Sequence, residues 1–300
     1  MLSILIPGYN YNVVALVLEL QKQCLECNIN FEILVFDDGS KLFLDENQKI
    51  NSLEKCSFKV LEKNIGRSAI RNLLAKKTKF DSLLFLDADT IPIHNNFIKN
   101  YISQINEDEK IVYGGIQYQK GKPNKSKVLR WKYGNSREAL SVEKRQQNPY
   151  LSLLTLNFLI HKNIFATVCF NETIPNLRHE DTLFSYNLMQ QKIKIIHIEN
   201  PVFHLGLDAF EVAIKKENES LLGLKYLIDR ELLPSDYVRL SEIAAKIDKM
   251  KLNFVFALFY KITMPLFLKN LSSNNPSLFI FDLYRLGNLC NLYSKHSITR

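Results

Sequence analysis

The sequence has no internal repeat and no low-complexity tract, which excludes solenoids and fibrous arrays. Its five cysteines (Cys24, Cys27, Cys56, Cys169, Cys290) are an odd number, and the chain opens on a strand rather than an apolar leader. A reducing cytosolic compartment is therefore expected. Cys24-x-x-Cys27 has no second pair to complete a zinc site and falls on an expected helix, so ordinary thiols are expected there. The most apolar run, residues 252–260, is closed by Lys261, broken at Pro265, and too short to cross a bilayer. No glycine-rich loop with a basic residue follows the first strand, and no nucleic-acid module is recognisable. Apolar content of 46% and charged content of 23% are those of an ordinary folded protein. The length allows one large α/β domain or two smaller ones. A net charge of +8 favours acidic partners: nucleotide phosphates, nucleic acid or an anionic membrane surface.

What is present is organised around Leu83-Leu84-Phe85-Leu86-Asp87-Ala88-Asp89. Four apolar residues in succession predict a strand buried on both faces. That strand delivers Asp87 and Asp89 at its carboxyl end, and acids at i and i+2 on an extended segment point the same way. Such oxygen ligands suit a hard divalent ion that carries substrate phosphates. The alternative is a polar turn after a core strand.

Other polar clusters fall at comparable places. A strand over residues 2–7 ends at Pro7-Gly8-Tyr9-Asn10, and a second over 31–36 runs straight into Asp37-Asp38-Gly39-Ser40. A short strand near 58–61 precedes Asn64-Ile65-Gly66-Arg67, which opens a further helix. Strands alternating with helices predict a mostly parallel sheet with helices on both faces. Ligands in such sheets lie beyond the carboxyl ends of the strands, where Asp37, Asp38, Asn64, Asp87 and Asp89 gather. Asp38 could accept from a base N–H. Arg67 and Arg71, four apart, share one helix face at an end whose dipole attracts anions; either a diphosphate binds there or the face is solvated.

The second half differs. Residues 111–116 predict a strand whose Gly114-Gly115 admits a close backbone or ligand. Residues 119–147 hold nine basic residues against two acids and are expected to form a mobile loop near a phosphate or sugar site. Residues 151–160 are an apolar run, a core strand or short helix. Glu180-Asp181 heads an amphipathic helix, either as favourable dipole partners or as a site for a general base. His204 follows a strand over 192–198 and is either structural or a ligand to metal or phosphate. From residue 207 the chain is expected to be helical, with residues 272–276 as a linker.

Together these stretches resemble the family 2 glycosyltransferases of the GT-A fold. The resemblance covers residues 1–206 and rests on Ser3-Ile4-Leu5-Ile6-Pro7-Gly8-Tyr9-Asn10, Val35-Phe36-Asp37-Asp38-Gly39-Ser40, Asn64 to Asn72, Leu86-Asp87-Ala88-Asp89 and His179-Glu180-Asp181. It implies a Rossmann-like α/β domain at 1–206, with a nucleotide-binding half (1–110) and an acceptor half (111–206), and a helical C-terminal extension at 207–300. It implies a nucleotide-sugar donor, most readily a UDP-sugar, a divalent metal (Mn²⁺ or Mg²⁺) and inversion at the anomeric carbon. Carried over position by position, Asp38, with Asp37 beside it, contacts the base, and Pro7 and Tyr9 line its pocket. Asn64, Arg67 and Arg71 lie on the donor side. Asp87 and Ala88 lie near the ribose, and Gly115 near the donor sugar. Asp89 binds the metal, with His204 as a further candidate ligand. Asp181 is the base, with Glu180 beside it.

The Gln-x-x-Arg-Trp motif and the membrane-spanning helices of the processive synthases are absent, so addition of single sugars to a glycan or lipid-linked acceptor is expected. The expected setting is cytoplasmic, peripheral at an anionic inner membrane surface, with no nucleic acid bound. The rivals are a sugar-phosphate nucleotidyltransferase and a non-catalytic glycan- or nucleotide-binding protein on the same fold.

Overall fold

The computed structural model describes residues 1–105 and 110–296, so the last four residues of the expected extension lie outside the described residues. In chain order the chain forms β1 (Leu2–Gly8), α1 (Val14–Glu26), β2 (Phe31–Asp37), α2 (Leu44–Gln48), β3 (Cys56–Val60) and α3 (Arg67–Lys76). Then come β4 (Ser82–Leu86), β5 (Thr90–Pro92), α4 (Phe97–Ile102), β6 (Lys110–Tyr113), β7 (Ile116–Gln117), α5 (Val128–Tyr133) and α6 (Val142–Gln147). β8 (Asn157–His161), α7 (Lys162–Val168), α8 (Glu180–Gln190), β9 (Lys194–His197) and β10 (Val202–His204) follow. Four longer helices close the chain: α9 (Phe210–Asp229), α10 (Arg239–Lys249), α11 (Asn253–Leu271) and α12 (Leu278–His296).

These elements make two compact units. The first holds Met1–Gln119, Glu138–Thr173 and Glu180–Gly206; the second holds Lys120–Arg137, Ile174–His179 and the described residues from Leu207 onward.

The first unit is a mixed α/β fold around a seven-stranded sheet in the order β3-β2-β1-β4-β8-β6-β9. β1, β2 and β4 are nearly continuous apolar runs because both faces of the sheet are covered. On one face Ile4 and Ile6 pack with Val17, Leu20 and Cys24 of α1. On the other Leu5 and Phe85 pack with Ile70 and Leu74 of α3 and Phe184 of α8. Burial also explains the inert thiols: Cys24 is free, and its pKa is pushed up to about 12. β1 pairs in parallel with β2 on one side and β4 on the other, so the strand order reverses there. A sheet that switches direction opens a crevice at the carboxyl ends of the strands, and this one lies between Gly8 and Asp87. β8 runs antiparallel to both β4 and β6, which makes the sheet mixed. A three-stranded ribbon, β5-β10-β7, stands beside this rim and pairs Thr90 with His204.

Three expectations are corrected. Of the 151–160 run only residues 157–160 are strand, the first four residues of β8. The basic segment 119–147 is largely helical, because Val128 and Leu129 of α5 and the guanidinium of Arg145 in α6 are buried and hold it in place. Residues 272–276 form the turn between α11 and α12 inside one unit, fastened by Lys132, whose Nζ donates to Asn275 Oδ1 (3.0 Å) and the Pro276 carbonyl (2.8 Å).

The second unit is helical. Tyr260, Phe267 and Leu271 of α11 pack with Phe281 and Tyr284 of α12 and Leu129 of α5. α11 runs unbroken through Pro265 for 19 residues, so it is long and apolar enough to cross a membrane by length and composition, contrary to the expectation of a short run stopped at Pro265. A proline inside a helix costs roughly 3 kcal/mol, and the burial of Phe267 and Leu271 beyond it offsets that cost.

Candidate active site

The loop after β2 is folded on its own carboxylates. Asp37 Oδ1 accepts from the Ser40 amide (2.7 Å), and Ser40 Oγ accepts from the Asn10 amide (2.6 Å), which ties the end of β2 to that of β1. Asp38 Oδ1 and Oδ2 accept from the amides of Ile65 (2.7 Å) and Gly66 (3.0 Å), so Asp38 fixes the loop that opens α3. Burial raises the Asp38 pKa, and these two amides oppose the rise. Asn64 lies exposed in this loop, Pro7 is half-buried, and Tyr9 is 56% exposed at the rim.

α3 presents its cations inward. Arg71 is only 5% exposed. Its Nη2 donates to Asp87 Oδ1 at 2.8 Å, its Nη1 stands 3.6 Å from Glu180 Oε1, and its guanidinium lies over the Phe170 ring. Arg67 Nε approaches the same Glu180 oxygen at 3.4 Å. The counter-charge that the sequence suggests for a diphosphate is thus supplied in part by Asp87 and Glu180. One buried guanidinium joins the end of β4 to the head of α8. Asn72, the next residue, bonds both ways with the Phe170 backbone and donates to Glu172, which anchors the approach to α8.

Asp181 follows Glu180 on the first turn of α8, where its Oδ1 accepts from the Thr182 amide (2.7 Å). Its pKa is raised, first by burial and then by the charge of Glu180, while Arg71 and Arg67 pull it down. A carboxylate made more basic in this way is suited to accept a proton. Arg178 (φ +82°) and His179 (φ +66°) turn the chain through the left-handed region just before α8. Non-glycine residues rarely adopt this conformation.

Asp89 has separate surroundings. Its Oδ2 lies 3.3 Å from His204 Nε2, and its carbonyl accepts from the Leu205 amide. The antiparallel pairing of β5 with β10 brings His204, the last residue of its strand, to this place. A methyl group at Gly206 would overlap the Asp89 carboxylate and force it aside. Tyr11 is a neighbour that the sequence did not single out: its phenol pKa is raised by burial and then by the charge of Asp89. Ala88 packs partly into the core behind these acids.

Gly115 belongs to a different cluster. It adopts φ +97°, and a β-carbon would meet the guanidinium of Arg145 at 2.9 Å. Arg145 is 2% exposed and donates to the carbonyls of Leu140, Tyr113 and Ile198. Asn157 donates to the carbonyls of Gly115 and Asn200. Arg145 and Asn157 bear no motif, and only their placement among buried carbonyls reveals them.

Whether a divalent ion fits can be judged from the donors. Among the described residues no cluster of three His, Cys, Asp or Glu side chains could hold a metal ion. Asp87 is paired with Arg71, and Asp89 and His204 stand together as the neighbouring donors. One carboxylate and one imidazole suffice for an ion that takes its remaining ligands from substrate phosphates and water. Imidazole is the softer donor, so the pair suits Mn²⁺ better than Mg²⁺.

Comparison with known proteins identifies the family. Residues 3–169 match Glycosyl transferase family 2. The chondroitin synthase of Pasteurella multocida is 35% identical over 121 residues, 38% of this chain and 12% of that protein. An uncharacterized glycosyltransferase of Rickettsia bellii is 27% identical over 118 residues, 39% of this chain and 17% of that protein. The similarity therefore spans less than a fifth of the length of either relative. Among solved structures, S. aureus TarS 1-349 in complex with UDP-GlcNAc has a TM-score of 0.51 at 18% identity, covering 99% of this chain and 92% of that one. That likeness is one of fold.

Proposed function

The chain belongs to glycosyl transferase family 2, and from that premise we propose that its first unit, folded as a GT-A domain, transfers a sugar from a nucleoside diphosphate donor to a hydroxyl of a glycan or lipid-linked acceptor, with inversion at the anomeric carbon. The observation that carries this reading is the buried Arg71, which joins Asp87 to Glu180 and so makes one wall of the strand-end acids and the acid pair of α8. The donor is read as a UDP-sugar and the process as cell-surface glycan synthesis. The expected setting is cytoplasmic, peripheral at the inner face of the membrane, where a lipid-linked acceptor resides.

The geometry supports the following roles. Each Asp38 oxygen keeps a lone pair beyond its amide bond, enough to accept from a base N–H. Pro7, Tyr9 and Asn64 border that place, and Asp87 and Ala88 the ribose, while Gly115 is committed to the Arg145 cluster. Asp89 and His204 would hold a divalent ion, which when bound offsets charge on the departing diphosphate. Arg67, half-buried beside Glu180, would face the same anion. In the transfer itself the acceptor oxygen attacks the anomeric carbon. The bond from that carbon to the diphosphate oxygen breaks and its electron pair leaves with the nucleotide. The acceptor proton passes to Asp181, whose raised basicity suits the task. Glu180, held by two arginines, positions the α8 head.

The test is to incubate the protein with a panel of nucleotide sugars and Mn²⁺ and to follow nucleotide release. One UDP-sugar should be hydrolysed slowly without acceptor. Release from no donor in the panel, with or without candidate acceptors, would sink the reading in favour of a non-catalytic binding protein.

A further inference from the structure

The helix that the sequence marks as most apolar also exposes many of its apolar side chains. Phe254 and Phe279 are 71% and 70% exposed, and Ile262 and Leu266 are each 68% exposed. Phe254, Val255, Leu258, Phe259, Ile262 and Leu266 recur at the spacing of one helix face, so α11 shows a continuous apolar stripe more than three turns long. Its opposite side is committed: Ala257, Tyr260 and Phe267 are buried, the last two against α12. Patches of this kind mark an interaction surface.

The charges decide what covers it. α11 contains no acidic residue, Lys251 precedes it, and Lys261 and Lys269 lie along it, all three exposed. The same unit carries Lys120, Lys122, Lys125 and Lys127 within eight residues, at the entry to α5, and α5 packs with α11 and α12. A second copy of the chain would set this cationic face against itself. In an antiparallel pairing of two α11 helices, Lys251 would meet Lys269 with no carboxylate on the helix to offset either. An anionic bilayer surface answers both features, since its acyl boundary accepts the aromatic stripe and its headgroups accept the lysines.

We propose that α11 docks the protein in the plane of an anionic membrane surface through its Phe254–Leu266 face, with Phe279 alongside. The helix is long enough to cross a bilayer. Crossing would strip it from α12, or else drag in α12 with Asp282 and the Arg285–Glu217 ion pair (2.6 Å). Lying in the interface keeps that packing and leaves only the exposed face to insert. The proposal gives the peripheral setting above a defined surface, and it stands independently of the sugar-transfer reading.

Flotation of the whole 300-residue chain on sucrose gradients tests it, using vesicles with about 30% phosphatidylglycerol and vesicles of phosphatidylcholine alone. Most of the protein should float with the anionic vesicles at low salt, and roughly tenfold less with neutral ones. The double variant Phe254→Glu/Ile262→Glu should lose flotation while slow hydrolysis of a soluble donor is unchanged. Lys251→Glu/Lys269→Glu, which leaves the apolar stripe intact, should lose only the preference for anionic lipid. Alkaline carbonate should release the bound protein. Absence of flotation, or flotation indifferent to both variants, overturns the proposal. So does resistance to carbonate, which would mean a spanning helix, or a concentration-dependent dimer abolished by Phe254→Glu/Ile262→Glu, which would make a second copy the occupant. Loss of donor hydrolysis in every form would bear on the transferase reading alone.

Discussion

Replacing Arg71 by methionine isolates the contact that organises the site. Methionine keeps most of the side-chain length and can still pack on Phe170, but it leaves Asp87 and Glu180 without the guanidinium between them. Removing one partner of a buried ion pair costs about 3–5 kcal/mol, because the remaining charge stays desolvated. Glu180 keeps a second cation in Arg67, and the Asp87 side chain is 32% exposed, so the lower end applies. A loss of about 3 kcal/mol lowers Tm by roughly 6–12 °C for a unit of this size. The pH dependence has a definite sign. Burial already raises the Asp87 pKa in the folded protein, and losing Arg71 raises it further. A carboxyl whose folded pKa lies above its unfolded one gives the folded state more protons, so stability falls as pH rises through that interval. The cost of Arg71→Met should therefore be full at neutral pH and shrink in acid. Urea unfolding followed by circular dichroism at pH 7.5 and near pH 4 measures both effects. A variant within about 0.5 kcal/mol of the parent at neutral pH, or one whose deficit grows in acid, would show that Arg71 does not neutralise these acids in the fold.

Asp89→Ala should abolish Mn²⁺-dependent nucleotide release while leaving Tm nearly unchanged, since a rim carboxylate adds little to the core; normal turnover, or no slowing of the parent by EDTA, would remove Asp89 as a ligand. Gly206→Ala pushes a methyl group into the Asp89 carboxylate, and the Mn²⁺ concentration for half-maximal activity should rise about 10–100-fold, the usual cost of disturbing a ligand's support. Asp181→Asn should lower kcat by roughly 10²–10⁴-fold with little change in donor affinity. It should also stabilise the fold at neutral pH, because the raised pKa of Asp181 means its ionised form is disfavoured there; the gain should vanish below the ordinary carboxylate range. Glu180→Gln should cost less in kcat, and if it proved the deader mutant the base would be Glu180.

Most of the candidate site was legible because its residues sit at chain positions with local signatures. An apolar run that ends in acids announces a buried strand and its carboxyl end, and β1, β2 and β4 end within one residue of where the pattern says. Glu180 and Asp181 could be placed at a helix start from their order before Leu183 and Phe184. The parts that were not legible depend on partners distant in sequence. Asp38 looks like a free ligand until the amides of Ile65 and Gly66 are seen on its oxygens, 27 and 28 residues away. Arg145 looks like one more cation in a solvated basic segment. Three carbonyls from three parts of the chain, and the close approach of Gly115, make it a core residue.

The same distinction separates the two arginines of α3. Their spacing placed both on one helix face, and local chemistry alone suggested that this face awaited an anion. The fold supplies carboxylates there from β4 and α8, but unequally. Arg71 is enclosed by Asp87, Glu180 and Phe170, so its charge is spent on holding two elements together. Arg67 Nε stands 3.4 Å from Glu180, and a third of its side chain remains in solvent. Arg71 cannot turn without unmaking the wall. Two residues with one sequence signature thus divide into a strut and a hand, and the division follows from how much water each retains.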